Sequence, residues 1–339
     1  MEQKQRTVAV GAAATAGLIA CLGLVGLATA QDRPGGEVAF SAEVLAAASA
    51  FDTYMDRAGA LNGAFRDGEG VHRSLRTGAA YEMGQFEAGM IGYGAIVAVR
   101  DRAFDEGVQR AAGRFGGSHV LAERLMENPD EVTRIEGAQG AAGEIAAALA
   151  RRAERVTAAG RSVKQAAYDV QHQAWSKVNV SNPSGRLSEA KALSAERFVG
   201  SSEESARLMR AELDRSGGDE RADGAFSPVI VRSLALAAEA VLGAGSEGSR
   251  MRPLLSEPAG ADCLNMAKLN LYQCLAVAGP HYEDLFCLGQ HALIDTGQCV
   301  AKAASPRRVM TSAWNASTGS YGDERSRYPS SAGRRPFGY

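Results

Sequence analysis

Four cysteines in the last third of this 339-residue chain, Cys263, Cys274, Cys287 and Cys299, restrict its fold more than any other feature. Their positions mirror each other about Gly279-Pro280, with ten residues between the first two and eleven between the last two. An antiparallel helix pair folding back at that point lays Cys274 opposite Cys287 and Cys263 opposite Cys299, so two nested disulfides are expected. Eleven steps advance an α-helix by about 20° net, which puts Cys263 and Cys274 on one face. Twelve steps advance it by about 120°, so a regular second helix does not aim both of its cysteines at the partner. The expected remedy is a C-terminal cap at Gly297 that lets Cys299 fold back. Asp262 is the expected cap of the first helix, whose apolar stripe is Leu264, Ala267, Leu271, Leu275 and Ala278. In the chain-entropy model the inner bridge contributes about 3 kcal/mol and the outer one nearer 4.

Disulfides persist in oxidising compartments, and the N-terminus supplies a route to one. Lys4 and Arg6 form a basic n-region, Thr7 to Leu27 carries no charge, and Ala28-Thr29-Ala30 has the small-x-small pattern that a signal peptidase cuts. Cleavage is expected between Ala30 and Gln31. Leu18-Ile19-Ala20-Cys21 resembles a bacterial lipobox, which would instead leave a lipid anchor at Cys21, but the residues after it stay apolar to Leu27 rather than forming a polar tether. Either outcome leaves four thiols, an even number, to pair. No other stretch is long and apolar enough to span a bilayer, so the mature chain is not expected to be integral to the membrane.

Removing residues 1–30 takes away Lys4 and Arg6 against Glu2 and leaves a net charge of −3. Residues 304–339 carry six arginines against Asp323 and Glu324, so a tail of +4 follows a body of −7. The tail mixes those arginines with Trp314, Tyr321, Tyr328, Phe337 and Tyr339 among Ser and Gly, a composition expected to be disordered. Its guanidinium and aromatic groups suit contact with an anionic envelope polymer. Export argues against nucleic acid as the partner.

Helical periodicity dominates the body, which is rich in Ala and Gly. Val44, Leu45, Ala48, Phe51, Met55 and Leu61 outline a first helix ending near Arg66. Residues 74–99 are helical in pattern but carry five glycines, each costing about 0.5–1 kcal/mol relative to alanine. That segment must recover stability from a closely approaching neighbour or break. Asn128-Pro129-Asp130-Glu131 writes a helix start. Ala142, Ile145, Leu149, Val156, Ala159, Val163, Ala166 and Val170 form a heptad-like stripe interrupted by Arg152, read as one arm of a long antiparallel hairpin against residues 186–215. The turn is the segment 179–185, and 216–224 is a second loop. Pro228 opens an apolar helix through Leu242. No alternating run reads as a strand.

His281, Glu283, Asp284, His291 and Asp295 form the chain's one His-acid grouping, and His291 and Asp295 lie one helical turn apart. A solvated helix face, with acids favoured near the helix N-terminus by its dipole, accounts for them better than a metal or acid–base site does. His72, His119 and His172 stand alone and read as surface residues. No nucleophile elbow, zinc-protease motif, phosphate loop or C-x-x-C is present. Cysteine spacings of ten and eleven do not suit zinc. They are similar in geometry to the twin C-x9-C helical hairpins of the mitochondrial intermembrane space. The spacings differ and the leader is of bacterial type, so the likeness implies nothing about activity.

The expected fold is all-α: an Ala/Gly-rich helical bundle with a long helical hairpin and a C-terminal disulfide-stapled αα-hairpin. The expected organisation is a signal peptide at 1–30, a bundle at 31–243, a linker at 244–261, the four-Cys hairpin at 262–303 and a basic, aromatic tail at 304–339. The expected role is that of an exported periplasmic, cell-surface or secreted protein. It would act without enzymatic chemistry or cofactor, on a protein partner or an anionic envelope polymer. The alternatives are an envelope hydrolase of cell-wall polymer and a subunit of a secretion or appendage assembly.

Overall fold

A computed structural model describes residues 38–210 and 226–305. The expected leader with its Ala30-Gln31 cleavage site and Cys21, the expected loop at 216–224 and the expected tail beyond Ser305 lie outside the described residues. Among the described residues the chain is helical and forms no β-strand. In chain order the α-helices are α1 (Ala42–Gly59), α2 (Gly68–Ala79), α3 (Met83–Ala98), α4 (Arg102–Arg114), α5 (Ser118–Glu127), α6 (Ala138–Val170), α7 (Pro183–Ala195), α8 (Ser202–Arg210), α9 (Pro228–Val241), α10 (Gly248–Met251), α11 (Pro258–Val277), α12 (His281–Cys287) and α13 (Thr296–Ala304). Two 3₁₀ turns, Pro129–Arg134 and Arg252–Leu255, and a π-helical segment, Leu288–Asp295, complete the set.

Side-chain caps account for most of the starts. Ser41 Oγ accepts from Val44 N at 3.3 Å, Asp67 from Gly70 N at 2.7 Å, Asp101 from Phe104 N at 3.0 Å and Asn182 from Gly185 N at 2.9 Å. Proline stands in the first turn of α7, α9 and α11, where a missing N–H costs nothing. The first helix ends at Gly59 and not near Arg66, because the chain leaves it to reach α6, where Gly63 N donates to Ser162 Oγ at 3.1 Å. The glycine-rich segment 74–99 breaks. Glu82 accepts from Gly84 N and Gln85 N, both at 2.8 Å, and so caps a new helix, α3, in place of a continuation of α2.

Helix α3 is buried on nearly every side, Gln85 and Glu87 included, and lies at the centre, packed on α1, α9 and α6. Gly89 permits this: a β-carbon there would collide with Ala47 O of α1. Asn128-Pro129 opens only the 3₁₀ turn, and the long helix α6 waits for Gly137, whose φ of 85° is one that glycine adopts at little cost. The stripe expected on α6 is buried throughout, and Arg152 leaves it to pair with Asp52 and Asp56 of α1.

The antiparallel partner of α6 is not residues 186–215. Helix α7 packs on α2 and α11 instead, while α6 runs against α12, the π segment and α13. Glycine explains the choice. A β-carbon on Gly289 would come within 2.5 Å of Lys164 N and 2.8 Å of Gly160 O, so the two backbones touch where α6 and the π segment cross. Residues between α9 and α11 are themselves part of the core, with Met251, Leu254 and Leu255 buried. One buried cluster runs from Phe40 to Ala304, and the cysteine-bearing helices belong to it.

Candidate functional site at the stapled hairpin

Both disulfides are present. Cys263–Cys299 joins α11 to α13 with Cα atoms 5.7 Å apart, and Cys274–Cys287 joins α11 to α12 with Cα atoms 5.6 Å apart. Two details differ from the sequence reading. Asp262 lies inside α11, which starts a turn earlier at Pro258, where the Glu257 carboxylate accepts from Ala259 N at 3.2 Å and Gly260 N at 2.7 Å. A proline in the first turn and a carboxylate cap together outweigh an aspartate further on. Gly297 does not end the second helix, which continues to Ala304. Its missing side chain instead lets α13 press on Ala153 and Thr157 of α6.

The π segment solves the phase problem that Gly297 was expected to solve. A helix bonded from i to i+5 turns about 80° per residue rather than 100°. Eight such residues followed by four α-helical steps bring Cys299 round to within about 40° of Cys287, against about 120° on a regular α-helix. The wider turn absorbs the one residue by which the second cysteine spacing exceeds the first.

The hairpin is held from outside by Arg186 of α7. Its guanidinium pairs with Asp284 and donates to the carbonyls of Leu275 and, at 3.1 Å, Ala278, at the end of α11. Both members of the pair are buried. Burial pushes the Asp284 carboxyl up from its ordinary range, and the guanidinium pulls the other way. The turn is also tied to the segment after α6: Val180 N donates to Gly279 O at 2.9 Å, and Tyr282 N to Ser176 O at 3.2 Å.

The expected His-acid grouping divides into separate structural roles. Asp284 belongs to the arginine clamp, and Glu283 accepts from Gly279 N at 2.7 Å inside the turn. His281 faces Gly68 of α2, where burial and then Arg186 lower its pKa. His291 Nδ1 and Asp295 Oδ2 are 2.8 Å apart, and Asp295 also accepts from Gln290, which accepts from Lys164 at 2.7 Å. This chain fastens the π segment to α6. Among the described residues no three His, Cys, Asp or Glu side chains converge as a metal site would require. His72 and His119 pair with Glu189 and Glu123, and His172 is exposed.

Beside the inner disulfide lies a groove of about 450 Å³. Tyr168 of α6 and Val277, Tyr282 and Phe286 of the hairpin line it, with Cys274 and Cys287 also on its wall. Tyr168 meets Phe286 edge-on at 6.5 Å, and the Lys164 ammonium lies 5.2 Å from the Phe286 ring. Val277 is 84% exposed, the apolar lip of this groove.

Sequence reasoning missed two buried polar groups. Lys268 Nζ donates to Ala79 O at 2.7 Å and Ser194 Oγ at 2.9 Å and lies 3.4 Å from the centre of the Tyr81 ring, closing the end of α2. Burial holds its pKa well below the usual lysine range. A lysine between Ala267 and Leu271 on an apolar stripe was the available signal. Glu239, on the otherwise apolar α9, is fully buried, and neither carboxyl oxygen has a hydrogen-bond partner among the described residues. No family model matches the chain, and neither the curated proteins nor the solved structures contain a match to it.

Proposed function

We propose that this is an exported envelope or secreted protein that acts by binding, with the disulfide-stapled hairpin and the groove beside it as its contact face. The observation that carries the reading is the pair of nested disulfides, which belongs in an oxidising compartment. The charge-free stretch from Thr7 to Leu27 and the Ala28-Thr29-Ala30 pattern support the same compartment. No helix among the described residues is long and apolar enough to cross a membrane. The groove supports a binding role: an aromatic and aliphatic wall stiffened by a covalent bridge loses little entropy when a partner docks. The partner is a protein segment with an apolar anchor, and the basic tail adds a second, charge-based hold on anionic envelope polymer.

The test is expression of the full chain in a bacterial host, with thiols alkylated before lysis and a photo-crosslinking residue at Val277. The expected result is a chain in the periplasmic or external fraction with no alkylated cysteine after removal of residues 1–30, and a discrete crosslinked adduct that Phe286→Asp removes. A folded chain retained in the cytosol with all five cysteines alkylated, Cys21 among them, would contradict the reading, as would crosslinking at Val277 no different from crosslinking at Arg114 on α4.

A further inference from the structure

A second concavity, separate from the hairpin groove, opens between α1, α2, α3 and the segment after α7, with a volume of about 240 Å³. Its floor is an aromatic cluster. Tyr54 and Tyr81 meet edge-on with ring centres 4.7 Å apart, and Phe86 packs against both. The two tyrosines offer ring surface only, since Tyr54 Oη donates to Gly78 O at 3.1 Å and Tyr81 Oη is bonded to Thr296 Oγ1 at 3.0 Å.

The polar groups round this floor fall into two sets. Four are committed elsewhere: Arg76 pairs with Glu189, Thr77 Oγ1 donates to Arg73 O at 3.3 Å, Gln85 is bonded in both directions to the Phe198 backbone, and the Glu82 carboxylate caps α3. Two are not. The Thr53 hydroxyl makes no hydrogen bond among the described residues, and Arg57 lies over the Phe198 ring at 5.6 Å with no carboxylate within ion-pairing distance there. Thr53 and Arg57 are four residues apart on α1 and so project from one face, above the aromatic floor. Both can donate, the guanidinium as a fork that suits a carboxylate.

We infer that this cleft is a binding site for a small carboxylate with an aromatic or compact apolar body, the ring lying on Tyr54, Tyr81 and Phe86 and the carboxylate taken by Arg57 and Thr53. The volume falls just short of the ~300–1,000 Å³ of pockets for drug-sized ligands, which fits a single ring with a short acidic arm. A free amine offers no acceptor to the two donors. This inference is independent of the role proposed for the hairpin.

Titration calorimetry on the full chain, with 3-phenylpropionate as the probe and 3-phenylpropionamide as its neutral counterpart, tests it. The expected result is saturable binding of the carboxylate and affinity for the amide at least about tenfold weaker, since the ionic hydrogen bonds are lost. Arg57→Ala, on the surface and outside the core, should lower carboxylate affinity by a similar factor while leaving the circular dichroism spectrum unchanged. Ala80→Phe, which fills the cleft from an exposed position, should abolish binding. Absence of saturable binding, equal binding of acid and amide, or binding that survives both substitutions would overturn the site.

Discussion

At the scale of single residues, the buried charges decide how this protein responds to pH and substitution. Burial pushes the Glu239 carboxyl up to about 7 from an ordinary value near 4.5, with the attraction of Arg250 opposing it. Between those values the folded chain holds a proton that the unfolded chain has released, so stability falls as pH rises through the window, by about 3 kcal/mol in all. Glu239→Gln should therefore be more stable than the parent at pH 8, with the slope between pH 5 and 7 flattened. Urea unfolding at pH 5 and pH 8 measures this, and a variant weaker than the parent at both values would contradict it. Arg186 is a different case, because removing one member of a buried pair strands the other. Arg186→Met should cost about 3–5 kcal/mol by the same unfolding measurement, leaving Asp284 and the carbonyls of Leu275 and Ala278 without their donor. A loss below about 1 kcal/mol would show that the clamp is replaceable.

At the scale of elements, the π segment carries the geometry of the second cysteine pair. Deleting His291 leaves eleven steps between the two cysteines, about 20° on a regular α-helix, the same as in α11. Both disulfides should then still form on a helix relieved of its wide turn. Recovery of free thiols at positions 263 and 299 in that variant would show that the π turn does more than absorb one residue. Much of this level was legible in the sequence. The all-α class, the helix stripes on α6 and α11 and the nesting of the cysteines follow from periodicity and spacing. Gly297 reads as a terminator in the sequence and is not one in the structure, because a glycine at a helix crossing and a glycine at a helix end carry the same letter, and only the presence of Ala153 and Thr157 beside it separates them. The partner of α6 is hidden for a related reason: sequence proximity favours residues 186–215, whereas backbone contact at Gly160 and Gly289 places the C-terminal helices there. The arginine clamp, Lys268 and the cleft at Arg57 depend on residues far apart in the chain, and no local pattern announces them.

At the scale of the whole molecule, the stapled hairpin is part of the core on which the rest of the body stands. Cys287, Leu288, Leu293 and Val300 belong to the same buried cluster as Phe51 and Ile91. Reduction should therefore lower the thermal midpoint of one common transition, with near-ultraviolet and far-ultraviolet signals falling together, rather than release a hairpin that melts before an unchanged body. Two separated transitions after reduction would assign the hairpin a stability of its own. Two nested bridges close the C-terminal helices, and peptide mapping of the native protein under non-reducing conditions is the decisive check on them. Mapping should recover two linked species, Cys263 with Cys299 and Cys274 with Cys287, and no free thiol among these four. A Cys263–Cys274 pair, or two free thiols per chain, would contradict it.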